Sequence, residues 1–314
     1  MRFALLNSGL GLLGAASELH RLRPGADLVL SMDPDGMPWG PRSPEEIADR
    51  TLAIASAAAA FDPDVLVLAC NTATVHALEA LRAEFEPDIP VVGTVPAIKP
   101  AAASAASAGS VAIWATVATT GSDYQRKLIA EFGGRATVTP VACPGLASAV
   151  DAGDAEAMAD AIATAAIQTP AGCAAVVLGC TEYELAAKQI GAAVPGARLF
   201  GSAAAVAAQV LRRLAETGSS DGPGAAVASA EVPREGVTPP GPLRAEAASH
   251  ARLAALGAPG DGPGDDLGGD EFGKLIVLLS GRSADLPSAA LKYRQGRELA
   301  RLASGTDAAP GLLV

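Results

Sequence analysis

One phrase occurs twice in this chain, and its two copies restrict the fold more than any other feature. Val65-Leu66-Val67-Leu68-Ala69-Cys70-Asn71-Thr72 and Ala175-Val176-Val177-Leu178-Gly179-Cys180-Thr181 each run from four apolar residues through one small residue to Cys, with a hydroxyl-bearing residue close behind, 110 positions apart. A short unbroken run of Val and Leu has the pattern of a strand buried on both faces, and such strands belong to parallel sheets covered by helices. Phe3-Ala4-Leu5-Leu6-Asn7-Ser8 and Ala112-Ile113-Trp114-Ala115-Thr116 form a second pair at nearly the same offset. Two matched pairs predict two similar half-domains. In open α/β sheets ligands collect beyond the carboxyl ends of strands, which is where both cysteines stand.

The remaining apolar runs fit this frame. Residues 3–6, 28–31, 65–69, 91–94, 111–115, 137–142 and 175–179 are short and bounded by turn residues, with alanine-rich helical stretches between them. The expected class is therefore α/β, as two pseudo-symmetric half-domains with mostly parallel sheets flanked by helices and a cleft between them. The first half-domain is expected over 1–95 and the second over 96–199, with 200–216 and 274–303 returning to the first. Residues 274–279 read as a strand and 291–303 as a short basic helix. Ser43-Pro44-Glu45-Glu46 carries a cap residue, Pro at the first helical position and acids in the first turn, so a helix over 47–60 starts there. Between the last two parts, 217–271 reads as a flexible linker. Of the residues 218–270, 18 are Gly or Pro and none is aromatic, too little apolar area to offset the entropy of ordering. At most a short helix is expected there, near 242–256.

Composition excludes several classes. Lys and Arg number 23 against 34 Asp and Glu, and the net charge of −11 comes with no basic run, which argues against nucleic acid and against an anionic membrane surface. Alanine supplies 71 of the 314 residues, so the apolar half of the chain overstates its hydrophobic driving force. The most apolar long stretch, 94–118, is broken by Pro96, Lys99 and Pro100, and no membrane span is expected. The opening Met1-Arg2-Phe3-Ala4-Leu5-Leu6 stops at Asn7 and Ser8, too short for an export signal. A cytoplasmic protein with four reduced thiols is the expectation. Cys70, Cys143, Cys173 and Cys180 have no metal-ligand spacing. Cys173 reads as packing and Cys143 as structural support near the cleft, and His20, His76 and His250 lie in no motif.

Two thiols at strand ends, each before a helix start, are suited to one particular chemistry. The helix dipole and free N–H groups favour a thiolate, and a free thiol titrates near ~8.5, so one protonated and one deprotonated Cys can coexist near neutrality. One can remove a proton from one face of a carbon while the other returns a proton to the opposite face. The result is inversion of a stereocentre.

The motifs resemble the cofactor-independent glutamate and aspartate racemases. They are Asn7-Ser8-Gly9 with Gly11-Leu12-Leu13, Pro38-Trp39-Gly40, Ala69-Cys70-Asn71-Thr72-Ala73, Ala142-Cys143-Pro144 and Gly179-Cys180-Thr181-Glu182-Tyr183. The resemblance covers about residues 2–214 and, more weakly, 274–303. It implies a homodimeric two-base racemase of an acidic amino acid, glutamate before aspartate, serving cell-wall synthesis without a cofactor. It also implies that Cys70 and Cys180 are the acid and base. By the same resemblance, Asn7, Ser8, Trp39, Gly40, Asn71, Thr72, Thr181 and Glu182 hold the substrate, with Asp151 in support. Hydroxyls, amides and backbone N–H groups suit carboxylates because they bind them without a charge that would change the thiol pKa.

Three positions depart from the glutamate pattern, which usually shows Asp at Asn7, Tyr at Trp39 and His at Glu182. Glu after Cys-Thr resembles the aspartate version. Other readings stay open. Gly9, Gly11 and Gly14 spell a dinucleotide fingerprint after the first strand, with Asp33 and Asp35 near the place of its acidic partner. A member that has lost turnover and binds a dicarboxylate is another. Asp151 could equally cap the helix over 155–166.

Overall fold

The computed structural model describes residues 1–105, 109–217 and 273–304. The linker expected at 217–271, past Thr217 which closes a helix, and the short helix expected at 242–256 lie outside the described residues.

In chain order the elements are β1 (Arg2–Asn7), α1 (Leu12–Leu22), β2 (Asp27–Met32), α2 (Pro44–Ala59), β3 (Val65–Leu68), α3 (Asn71–Phe85), β4 (Val91–Gly93) and α4 (Ile98–Ser104). There follow β5 (Ser110–Ala115), α5 (Asp123–Phe132), β6 (Thr137–Ala142), α6 (Leu146–Ala152), α7 (Ala155–Gln168), β7 (Ala175–Leu178), α8 (Ala187–Ala193), β8 (Arg198–Phe200) and α9 (Ala203–Thr217). The last are β9 (Leu275–Leu279), β10 (Arg282–Ser283) and α10 (Arg294–Ser304).

Two sheets result, ordered β10-β9-β2-β1-β3-β4 and β6-β5-β7-β8. Every pairing is parallel except β10 with β9. The order β2-β1-β3-β4 in the first sheet is matched by β6-β5-β7-β8 in the second, so the protein is α/β with two pseudo-symmetric parallel sheets. Phe3 stands opposite Val65 in the first central pair, and Ala112 opposite Val176 in the second. Both repeated Cys phrases thus lie on the strand beside the one that opens its half.

Burial on both faces follows from the two-residue period of a strand. Phe3 and Leu5 of β1 pack with α1, while Ala4 and Leu6 face the cluster that holds Ile47 and Ile54 of α2 and Ala77 and Leu81 of α3. In the second sheet Ala112 and Trp114 look one way, and Val111 and Ile113 join Ile98 and Leu128 of α4 and α5 on the other. Alanine on the helices, such as Ala16, Ala55, Ala58, Ala77 and Ala165, is buried at these contacts and lets helix and sheet approach closely.

The C-terminal segment crosses the molecule. β9 lies parallel to β2 with Val29 opposite Ile276, and α10 packs on α1, where Ser17 donates to Glu298 at 3.0 Å. Its last helix is shorter than the run expected over 291–303. A 3-10 turn covers Ser288–Lys292, and Tyr293 is extended before α10 begins. The break has a tertiary cause, because the Tyr293 hydroxyl donates to Val150 O at 2.6 Å.

Candidate active site

Both cysteines stand two residues beyond their strands, in the same extended conformation. Cys70 has φ −143° and ψ 123° and is the N-cap of α3, while Cys180 has φ −131° and ψ 139°. Cys180 precedes a 3-10 turn over Thr181–Glu184 rather than the α-helix start that the repeat suggested. Thr181, Glu182 and Tyr183 are all buried in this turn.

Direct hydrogen bonds tie the two strand ends together. Asn71 Nδ2, next to Cys70, donates to the carbonyl of Gly179, next to Cys180, at 2.9 Å. Asn7 Nδ2 donates to Ala69 O at 2.5 Å and to Thr181 Oγ1 at 3.2 Å. Asn7 Oδ1 accepts from Gly9 N and Ser8 Oγ, each at 3.2 Å. All four hydrogen-bonding positions of the Asn7 amide are therefore taken by the protein. Asn71 differs, since its buried Oδ1 has no partner among the described residues.

Each thiol is held protonated by its surroundings. Burial pushes Cys70 up to about 12, the charge of Glu182 adds to the rise, and the N–H groups of Ala73 and Thr72 oppose it. Cys180 lies well above the ordinary thiol value, through burial first and then Glu182, whose Oε2 accepts a hydrogen bond from the Cys180 thiol at 2.8 Å. The charge of Cys70 contributes to the same rise. Thr181 Oγ1 donates to the same Glu182 Oε2 at 3.3 Å.

Asp151 reaches this cluster from α6, and its Oδ1 accepts the Leu10 N–H at 2.7 Å. Burial raises its pKa to about 8, the charge of Glu182 adds to this, and the Leu10 N–H works against it. The helix-cap alternative for Asp151 is overturned: Asp154 caps α7, accepting from Glu156 N and Ala157 N at 3.1 Å each.

The glycine fingerprint after β1 has a packing explanation. A Cβ on Gly9 would meet Asp151 Oδ1 at 2.3 Å, and one on Gly11 would meet Thr181 Oγ1 at 2.4 Å and Glu182 Oε1 at 2.6 Å. The loop must lack side chains to lie against those groups. Asp33, the acid that a dinucleotide would need, is engaged elsewhere. Arg50 Nε and Nη2 donate to it at 2.5 and 2.9 Å, Trp39 Nε1 at 2.9 Å and Ser280 Oγ at 2.9 Å. Burial raises the Asp33 pKa, but these three donors more than offset it and hold the carboxyl below its usual value. Asp35 pairs with Arg282 at 2.7 Å.

Trp39 is fully buried in the cluster that includes Cys70. Gly40 beside it comes within 3.8 Å of Ala118 on the loop after β5, measured from where a Cβ would stand. Ser8 and Thr72 are half-buried, and the Ser8 carbonyl accepts from Asp33 N at 3.1 Å. Cys143 and Cys173 are buried, Cys173 Sγ donating to Ala175 O at 2.9 Å, and His76 is exposed on α3. Among the described residues no group of three His, Cys, Asp or Glu is arranged to hold a metal ion, and no helix is long and apolar enough to cross a membrane.

Two supports escaped the sequence reading. Glu184 accepts from Ser202 N, Ser202 Oγ and Ala203 N at 2.6 to 3.1 Å, and so secures the start of α9 behind the Cys180 turn. Its only signal in the sequence is its place two residues after Glu182. Tyr293 has no local signal at all.

Comparison with known proteins decides the family. The sequence pattern of the Asp/Glu/Hydantoin racemase family matches residues 12–210. The chain belongs to that family. Glutamate racemase of Herpetosiphon aurantiacus is 37% identical over 215 residues, which are 67% of this chain and 84% of that protein. Glutamate racemase of Pseudomonas entomophila is 37% identical over 224 residues, 70% and 84% of the two chains. The crystal structure of Escherichia coli glutamate racemase with L-glutamate and the activator UDP-MurNAc-ala superposes with a TM-score of 0.63 at 31% identity, covering 68% of this chain and 82% of that one. Membership in this racemase family makes the protein an isomerase, an amino-acid racemase.

Proposed function

We propose that the protein interconverts L- and D-glutamate by proton transfer between Cys70 and Cys180. The observation that carries the reading is the Asn71 to Gly179 hydrogen bond, which ties the residue after one thiol to the residue before the other. In one direction Glu182 Oε2 takes the Cys180 thiol hydrogen, and the Cys180 thiolate removes the Cα proton. Cys70 then delivers its thiol proton to the opposite face of the carbanion. In the other direction the Cys70 thiolate removes the Cα proton, Cys180 delivers its thiol proton to the opposite face, and the proton held by Glu182 returns to Cys180.

Both thiols have raised pKa values, so the charge needed for proton removal must be favoured by the substrate itself. An α-ammonium group does this by attraction. Asn71 Oδ1 is a free acceptor for such a group, and Asp151 and Glu182 are acids near it. Ser8, Thr72, Thr181 and the first N–H groups of α3 suit the carboxylates, while Trp39 and Gly40 wall the cleft. Asn7 is assigned to joining the strand ends, because its amide has no free position.

Glutamate is favoured because the relatives reported above are glutamate racemases. Glu182 beside Cys180 favours aspartate as the second reading. We assign the enzyme to the cytoplasm as a homodimer supplying D-glutamate for peptidoglycan, using only its own side chains.

The test is incubation with L-glutamate, and separately L-aspartate, in deuterated water, following Cα–H loss by NMR and optical rotation. L-glutamate should exchange and racemise, and Cys70→Ala and Cys180→Ala should each slow racemisation by about 10²–10⁴-fold. Neither exchange nor inversion with both amino acids would overturn the proposal. Faster turnover of aspartate would select the second reading.

A further inference from the structure

The strongest feature outside the mechanism is the contact between the C-terminal segment and α6. That helix has only seven residues, Leu146–Ala152, and begins and ends at glycines in left-handed conformation, Gly145 at φ 75° and Gly153 at φ 61°. A helix this short gains little from its own cooperativity, and its last carbonyls have no partners within it. Gly153 N donates to Val150 O at 2.9 Å, and Lys292 of the 3-10 turn and Tyr293 just after it add donors at this end. Tyr293 donates its hydroxyl to Val150 O at 2.6 Å, and Lys292 Nζ donates to Gly153 O at 2.8 Å. The Lys292 chain also lies against Gly153, where a Cβ would meet its Cδ at 2.6 Å. These contacts bracket Asp151, and Tyr293 is itself buried.

We propose that Tyr293 is a positioning residue for catalysis: by holding the carboxyl end of α6 it keeps Asp151 turned onto Leu10 N, beside Glu182. The inference rests on the reading of Asp151 as part of the racemase site. The segment responsible is anchored at both ends, by β9 on β2 and by α10 on α1. It lies beyond the 12–210 stretch that the family pattern matches. Burial raises the Tyr293 hydroxyl to about 12, with the Asp151 charge adding to the rise, so it stays a donor throughout the working range. The titratable groups facing Asp151 are Glu182, Cys70 and Tyr293.

The experiment compares wild type, Tyr293→Phe, Asp151→Asn and the double variant in racemisation of L-glutamate, each as kcat, KM and a pH profile. Tyr293→Phe keeps the ring and removes only the hydroxyl. It should lower kcat about ten- to a hundredfold with KM nearly unchanged, as small misplacements of a catalytic group do. Water reaching a released Asp151 should lower its pKa, so the pH limb that Asp151→Asn abolishes should move to lower pH. The double variant should be no slower than Asp151→Asn alone, because both changes act through one group. A purely structural role would instead lower activity additively and leave the limb in place, which overturns the proposal. If Tyr293→Phe does not fold, Lys292→Met is held to the same expectations. If Asp151→Asn leaves both rate and profile unchanged, Asp151 is outside the site and the proposal falls with it. A wild type that does not racemise glutamate overturns the parent reading, whereas wild-type behaviour of Tyr293→Phe overturns this one alone.

Discussion

At Cys180 the thiol donates a hydrogen bond to Glu182 Oε2, 2.8 Å away, and this contact separates two roles that the sequence alone left together. A carboxylate in that position repels a substrate carboxylate, but it can take the proton that makes Cys180 a base. Glu182→Gln tests the distinction. The amide still offers an acceptor oxygen but cannot hold the proton, so racemisation should fall about 10²-fold. Loss of the negative charge should also lower the pKa of Cys180 and Cys70, with burial still keeping both above the ordinary thiol value. Ultraviolet thiolate absorbance against pH reads that shift, and an unchanged titration would place Glu182 outside the thiols' electrostatic reach.

Elements differ in how far their ends are set by neighbours in sequence. The start of α2 is local. Ser43 Oγ accepts Glu46 N at 3.2 Å while Glu46 Oε2 accepts Ser43 N at 2.9 Å, a reciprocal capping box with Pro44 in the first turn. Ser43→Ala should cost about 1 kcal/mol, seen as a lower urea midpoint with unchanged slope. Both cysteine-bearing strands and this start were legible because the residues that decide them are within a few positions. The break at Tyr293 and the 3-10 turn after Cys180 were not. Tyr293 answers to a carbonyl 143 positions away, and no periodicity can register such a partner.

Over the whole molecule, the buried acids set how stability changes with pH. Asp151 has its folded pKa raised to about 8 from an ordinary value of 3.8. A raised folded value means that its contribution is fully present below the unfolded pKa and is lost as pH rises through the folded one. Asp151→Asn should therefore raise the urea midpoint, by little at pH 4 and by progressively more up to pH 8. A gain independent of pH would show that Asp151 does not titrate between those limits. Asp33 acts in the opposite sense. Its folded pKa is depressed, so the support it lends through Arg50 and Trp39 is present above its unfolded value and lost in acid.

The sequence by itself determined the class of fold, the pairing of its halves and the two thiols at matching strand ends. Those depend on strand period, run length and repetition, all properties of neighbouring residues. Only the tertiary structure decided how the polar groups are used: Asn7 spent on joining strand ends, Glu182 turned onto Cys180, and Asp33 committed to Arg50 and Trp39. It also decided that Gly9 and Gly11 are small because Asp151 and Glu182 lie against them. Each of these is a hydrogen bond or a close approach between groups far apart in the chain. Such contacts are set by how two sheets and a returning C-terminal segment meet, and no local pattern encodes that.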